Sequence, residues 1–152
     1  MSVSLLDVNV LVALMFRRHA FSDAAHHWLM AHQSEGWATC PLTINGCVRI
    51  MSGEAFHAVE QTPGEVAARL REFCQSPNHH FWPDDVSLLD DQRFDTTLLA
   101  GPRQITDVYL LGLAVKHRGR LVTFDQNIAV HAVTGAEPKH LCVLGGPPKR
   151  KT

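Results

Sequence analysis

Short apolar runs alternate with longer amphipathic stretches along the whole chain. Val3–Asp7 is a continuous apolar run that ends in an acid, the pattern of a strand covered on both faces. Asn9–Phe16 continues as a helix. Phe21, Ala24, Ala25, Trp28, Leu29 and His32 recur at helical spacing, so Ser22–Gln33 reads as an amphipathic helix with Ser22 as its N-cap. Gly36 breaks it. Trp37–Pro41 is a second strand, and Leu42–Ser52 is a helix with Ile44, Cys47, Val48 and Met51 on one face.

Gly53–Thr62 reads as a loop or a short helical excursion. Pro63 suits the first turn of a helix that runs to Gln75. His79–Pro83 is a third strand, and Ser87–Ala100 reads as helical in part. Ile105–His117 is apolar nearly all round, so most of its faces must be covered, and Gly119 is its expected C-cap. Arg120–Phe124 is a fourth strand, followed at once by Asp125. Asn127–Val133 is a short helix and His140–Leu144 a last strand. Strands that alternate with helices predict one α/β domain with a mostly parallel sheet of about five strands. The domain is expected to span residues 1–145, with the basic, proline-rich 146–152 expected to be a disordered, solvated tail.

Composition narrows the class. The 152 residues are 45% hydrophobic and 19% charged, as in a globular chain rather than a disordered one. No apolar run approaches the roughly 18–20 residues of a membrane helix, and the N-terminus has no basic leader, so a cytoplasmic protein without a membrane partner is expected. The net charge of -1 argues against a general, strongly basic nucleic-acid binder and leaves room for a local RNA contact. Cys40, Cys47, Cys74 and Cys142 lack metal-site spacing and read as small core residues. His19, His26, His27, His79 and His80 read as packing or surface histidines, His19 lying near the rim of any site at the strand ends. Trp28, Trp37 and Trp82 read as core, and Met15, Phe16, Phe21 and Trp28 as either core or an apolar surface around the first two helices.

Ligands of open parallel sheets bind beyond the carboxyl ends of the strands. Asp7 closes the first strand, Asp125 closes the fourth, and Asp107 opens the helix that leads into the fourth. If the first and fourth strands are neighbours, these three acids share one edge of the sheet. Like charges gathered there repel, and a hard divalent cation such as Mg²⁺ or Mn²⁺ offsets that cost through oxygen ligands. Each acid also has a plainer role as a helix cap, with Thr106 competing for that role beside Asp107. Asn9 either orients a water or makes an Asx-turn. Thr123 and Asn127 flank Asp125 as candidate supporting donors.

The segments Leu6-Asp7-Val8-Asn9-Val10-Leu11, Trp37 to Ile50, Ile105-Thr106-Asp107 with Tyr109-Leu110-Leu111, and Leu121-Val122-Thr123-Phe124-Asp125 together resemble a PIN domain. The likeness is to the VapC-type ribonuclease toxins of bacterial toxin–antitoxin pairs, and it covers the chain from Leu5 to about Leu144. It implies a three-layer α/β/α sandwich and a metal-dependent endoribonuclease. Asp7, Asp107 and Asp125 would hold Mg²⁺ or Mn²⁺, and a metal-activated water would hydrolyse the phosphodiester. It also implies a VapB-like antitoxin partner and a homodimer. One departure stands out. The family's glutamate on the helix after the second strand falls on Gly46, or at a slip on Asn45, and neither supplies a carboxylate. Thr43, Asn45 and Arg49 lie on that helix and are candidates to face the site, with Arg49 either on a substrate phosphate or paired with the acids.

Two other functions compete. The missing glutamate suits a degenerate PIN domain that binds RNA or protein without cutting. Asp7-Val8-Asn9-Val10 also comes close to the opening motif of haloacid-dehalogenase-like phosphatases, whose chemistry runs through a covalent aspartyl intermediate. There the second acid is replaced by Asn9, and no lysine motif follows.

Overall fold

The computed structural model describes residues 2–53 and 60–145. Five strands form one sheet in the order β3-β2-β1-β4-β5. They are β1 (Ser4–Leu6), β2 (Trp37–Thr39), β3 (His79–Phe81), β4 (Arg120–Thr123) and β5 (Leu141–Val143). Every pairing between them is parallel. The first and fourth strands are neighbours, in register Ser4↔Arg120, Leu5↔Leu121 and Leu6↔Val122.

Side chains alternate across the sheet, as a pleated strand requires. Leu6, Trp37 and Val122 face one core, under helices α1 (Val8–Met15), α2 (Ser22–His32), α3 (Pro41–Met51) and α4 (Pro63–Phe73). Leu5, Ala38 and Leu121 face the other, under α5 (Ile105–Lys116) and the irregular segments on either side of it. The result is the expected α/β/α arrangement, with a second outer layer that is only partly helical. Met15 and Trp28 lie in the core, while Phe16 and Phe21 pack half-buried against it. None of the four cysteines is disulfide-bonded; Cys40 and Cys47 are buried. No described helix is long and apolar enough to cross a membrane.

Several local expectations are corrected. Ser22 does not cap α2: Phe21 holds that position without a side-chain bond, and the Ser22 hydroxyl is buried among the helices. Ser87–Ala100 contains only a single 3-10 turn, Thr96–Leu98, and Asn127–Val133 only Val130–Ala132. Both segments carry a helix-like apolar spacing because they pack on α5, with Phe94 and Val133 bridged. The C-terminus of α5 turns on Arg118, at φ 57°, rather than on Gly119, whose N–H bonds back to the carbonyl of Ala114. Gly53–Thr62 is described only outside 54–59, and the tail 146–152 lies outside the described residues.

Gly112 sits in the middle of α5, where glycine ordinarily weakens a helix. Its place is fixed by Phe94: a Cβ at 112 would lie 2.2 Å from that ring, which is itself 2% exposed. Gly112→Ala is expected to destabilise the domain by about 1–3 kcal/mol despite its better helix propensity, read as a lowered midpoint in urea.

Candidate metal and phosphate site

The carboxyl ends of β1 and β4 generate the site. Asp7 follows β1 immediately and starts α1. Its Oδ1 accepts the Val8 N–H at 2.7 Å, so the capping role expected of it is real. Its backbone N–H donates to the Val122 carbonyl, which ties the end of β1 to β4. Its second oxygen accepts the Thr123 hydroxyl at 2.7 Å. The same Thr123 oxygen accepts the Asp125 N–H at 3.0 Å. One hydroxyl therefore fixes two acids that lie far apart in sequence. Asp125 Oδ1 in turn accepts the Asn127 N–H at 2.8 Å, which closes a tight turn rather than capping a helix.

Asp107 arrives from the opposite layer, in the first turn of α5. Neither it nor Thr106 caps that helix, because Gln104 holds the cap position. The Asp107 carboxyl is free to project toward the other acids, and it hydrogen-bonds to Asp125. Burial, that hydrogen bond and the charges of Asp7 and Asp125 push Asp107 up to about 8. Asp125 moves the other way, held down by the proton Asp107 donates and by the Asn127 N–H. Burial raises Asp7 despite its bonds from Thr123 and Val8. The pair Asp107–Asp125 thus shares one proton near neutral pH.

Asp7, Asn9, Gly46, Arg49, Thr106, Asp107 and Asp125 line one cavity of about 390 Å³, with Val8, Leu42 and Ile50 as its apolar wall. Thr123 lies beneath the cavity as a support. Thr43 does not face it. It is fully buried, and its hydroxyl bonds the N–H and the carbonyl of Cys40, which closes the start of α3. Asn45 is exposed on α3 and outside the lining, and Asn127 contributes only its backbone. The helical turn explains the difference: positions 42, 46, 49 and 50 share the face of α3 that meets the site, and 43 and 45 do not. Leu42 and Ile50, missed in the sequence, follow from that same periodicity.

Of the two positions where the resemblance implies a glutamate, Asn45 lies outside the cavity wall and Gly46 lines it. A Cβ there would lie 2.8 Å from Val8 Cγ2. The close approach of α1 to α3 fills the space a longer side chain would need. The first charged group on this face is instead Arg49, one turn later and exposed.

The donor set suits a hard divalent cation: carboxylate oxygens and an asparagine amide, with no thiol or imidazole in the lining. As they stand, no three acidic, histidine or cysteine side chains among the described residues enclose a single point. A bound cation would supply the positive charge that Asp7, Asp107 and Asp125 lack among themselves.

Comparison with known proteins identifies the family. The family model for the PIN domain matches residues 4–133. Ribonuclease VapC44 of Mycobacterium tuberculosis is 43% identical over 144 residues, covering 93% of this chain and 99% of that protein. Ribonuclease VapC39 of the same organism is 42% identical over 132 residues, covering 87% and 95%. Ribonuclease VapC38 is 41% identical over 128 residues, covering 83% and 87%. With its acids on the carboxyl edge of a parallel sheet and these relatives along nearly its whole length, the chain belongs to the PIN-domain family, among its VapC-like members.

Proposed function

We propose that this chain is a divalent-metal-dependent endoribonuclease and the toxin of a toxin–antitoxin pair. The observation that carries this reading is the convergence of Asp7, Asp107 and Asp125 with Arg49 in one open cavity. The ribonuclease names of its relatives support it. Asp7, Asp107 and Asp125 would hold Mg²⁺ or Mn²⁺, which supplies positive charge to the phosphate and acidifies water. Arg49 offers a planar, permanently charged group to a non-bridging phosphate oxygen. Thr123 keeps Asp7 and Asp125 aimed, and Asn9 and Thr106 present polar groups at the rim. A VapB-like antitoxin and a second copy of the chain are its proposed protein partners, and residues 1–145 its one domain.

The test is incubation of the purified protein with total bacterial RNA, with Mg²⁺ or Mn²⁺ and then with EDTA, beside Asp7→Asn. Discrete fragments are expected with metal only, and Asp7→Asn is expected to lower cleavage by about 100-fold or more. The competing reading, a module that binds without cutting, predicts no fragments and no heat of metal binding.

A cation and the proton on Asp107 compete for one place. Affinity for Mn²⁺ is therefore expected to rise by about tenfold per pH unit from pH 6 up to the value near 8 of Asp107 and to level off above it. Calorimetry in buffers of different ionisation heat would count the released proton. A flat profile would remove the shared proton from the account.

The same shift has a consequence for stability. Asp107 is raised in the fold from 3.8 to about 8, so over that window the unfolded chain ionises it more readily. The metal-free protein must lose stability as pH rises through the window. Asp107→Asn removes this penalty. At pH 7.5 in EDTA it is expected to raise Tm by about 2–4 °C, a size set by about 1 kcal/mol in a domain of this length. Adding Mg²⁺ is expected to stabilise the wild type and leave the variant unchanged, by thermal melts with and without metal.

A further inference from the structure

From Phe124, the neighbour in sequence of the cavity's Asp125, runs a row of aromatic rings that the catalytic reading leaves without a role. Phe124 sits between Thr123 and Asp125. Its ring stacks on Phe21, centroids 4.7 Å apart and planes 25° apart. The His19 ring stands 5.6 Å beyond Phe21. His19 Nδ1 accepts the Phe21 N–H at 3.0 Å, which fixes the ring and leaves Nε2 as its donor. All three rings are half-buried; Phe21 and Phe124 pack inward on the core under α1 and α2. Arg17 and Arg18, which precede His19, are exposed and have no hydrogen bond or ion pair among the described residues.

Aromatic faces interleaved with unpaired arginines are the surface chemistry of single-stranded nucleic-acid binding. Bases stack on the rings while cations track the backbone. We propose that His19, Phe21 and Phe124 form a stacking subsite for an unpaired RNA base, with Arg17 and Arg18 on the flanking phosphates. This rests on the ribonuclease reading and adds to it the conformation of the substrate. The strand beside the scissile phosphate must be unpaired, because a base held in a duplex cannot offer its face to the row.

The test is binding of an eight-nucleotide RNA carrying 2-aminopurine, in EDTA and at low salt so that nothing is cut. The wild type is expected to quench the fluorophore in the single strand and not in the same sequence as a duplex. His19→Ala is expected to weaken binding by about 5- to 10-fold and to reduce the quench. His19→Phe, which keeps a ring, is expected to restore both. Phe21→Leu is a second variant, accepted once its melting profile matches the folded protein. Equal affinity and quench in His19→Ala, or equal binding of duplex and single strand, would overturn the subsite. In parallel, Asp107→Asn tests the catalytic reading by loss of cleavage alone. A wild type that stacks the base but never cuts RNA would overturn the nuclease reading and keep this one.

Discussion

The parallel pairing of β1 with β4 is the constraint on which the rest depends. It brings the ends of Leu6 and Val122 side by side, and with them Asp7 and Thr123, 116 residues apart in the chain. The buried Thr123 hydroxyl then donates to one acid and accepts from the backbone of the next. A buried hydroxyl used in both directions is fully satisfied, and its bonds strengthen in surroundings that exclude water. The sheet ends thus fix Asp7 and, through Thr123, the backbone of Asp125, while Asp107 is added from α5.

That placement has a cost that the molecule carries openly. Three carboxylates share one edge of the sheet, and burial together with the charges of Asp7 and Asp125 makes Asp107 hard to ionise there. Strain of this kind is common where function requires like charges to meet. α3 adds no further acid. Gly46 lets α1 and α3 approach closely, and the charge presented from that helix is the positive one of Arg49. This site is therefore less negative than one that keeps the glutamate, which favours the approach of a polyanion such as RNA.

Much of the fold was legible in the sequence because it rests on short-range physics. Continuous apolar runs marked the strands, and the all-round apolar character of Ile105–Lys116 marked a helix covered on most sides, which α5 is. Two of the misread segments share one cause. Ser87–Ala100 and Asn127–Val133 look helical because they bury apolar residues at wide spacing, but they bury them as irregular segments laid over α5. Ser22 has the chemistry of a cap and is instead enclosed by its neighbours.

The sequence by itself determined which residues carry chemistry. An acid at the end of a buried strand is costly unless it has work to do, and Asp7 and Asp125 announced themselves by that position alone. It also determined that α3 brings no acid of its own to the strand ends. Only the tertiary structure decided which neighbours serve those acids. Thr43, Asn45 and Arg49 lie within one stretch of helix, yet only Arg49 reaches the cavity, because only its position shares the face of α3 that carries Leu42, Gly46 and Ile50. Likewise Thr123 became the hinge of the site, and Phe21 the neighbour of Phe124, only when the chain brought them together. Spacing along a chain encodes what a segment can bury; which side chains then meet is settled by packing between segments that the sequence lists far apart.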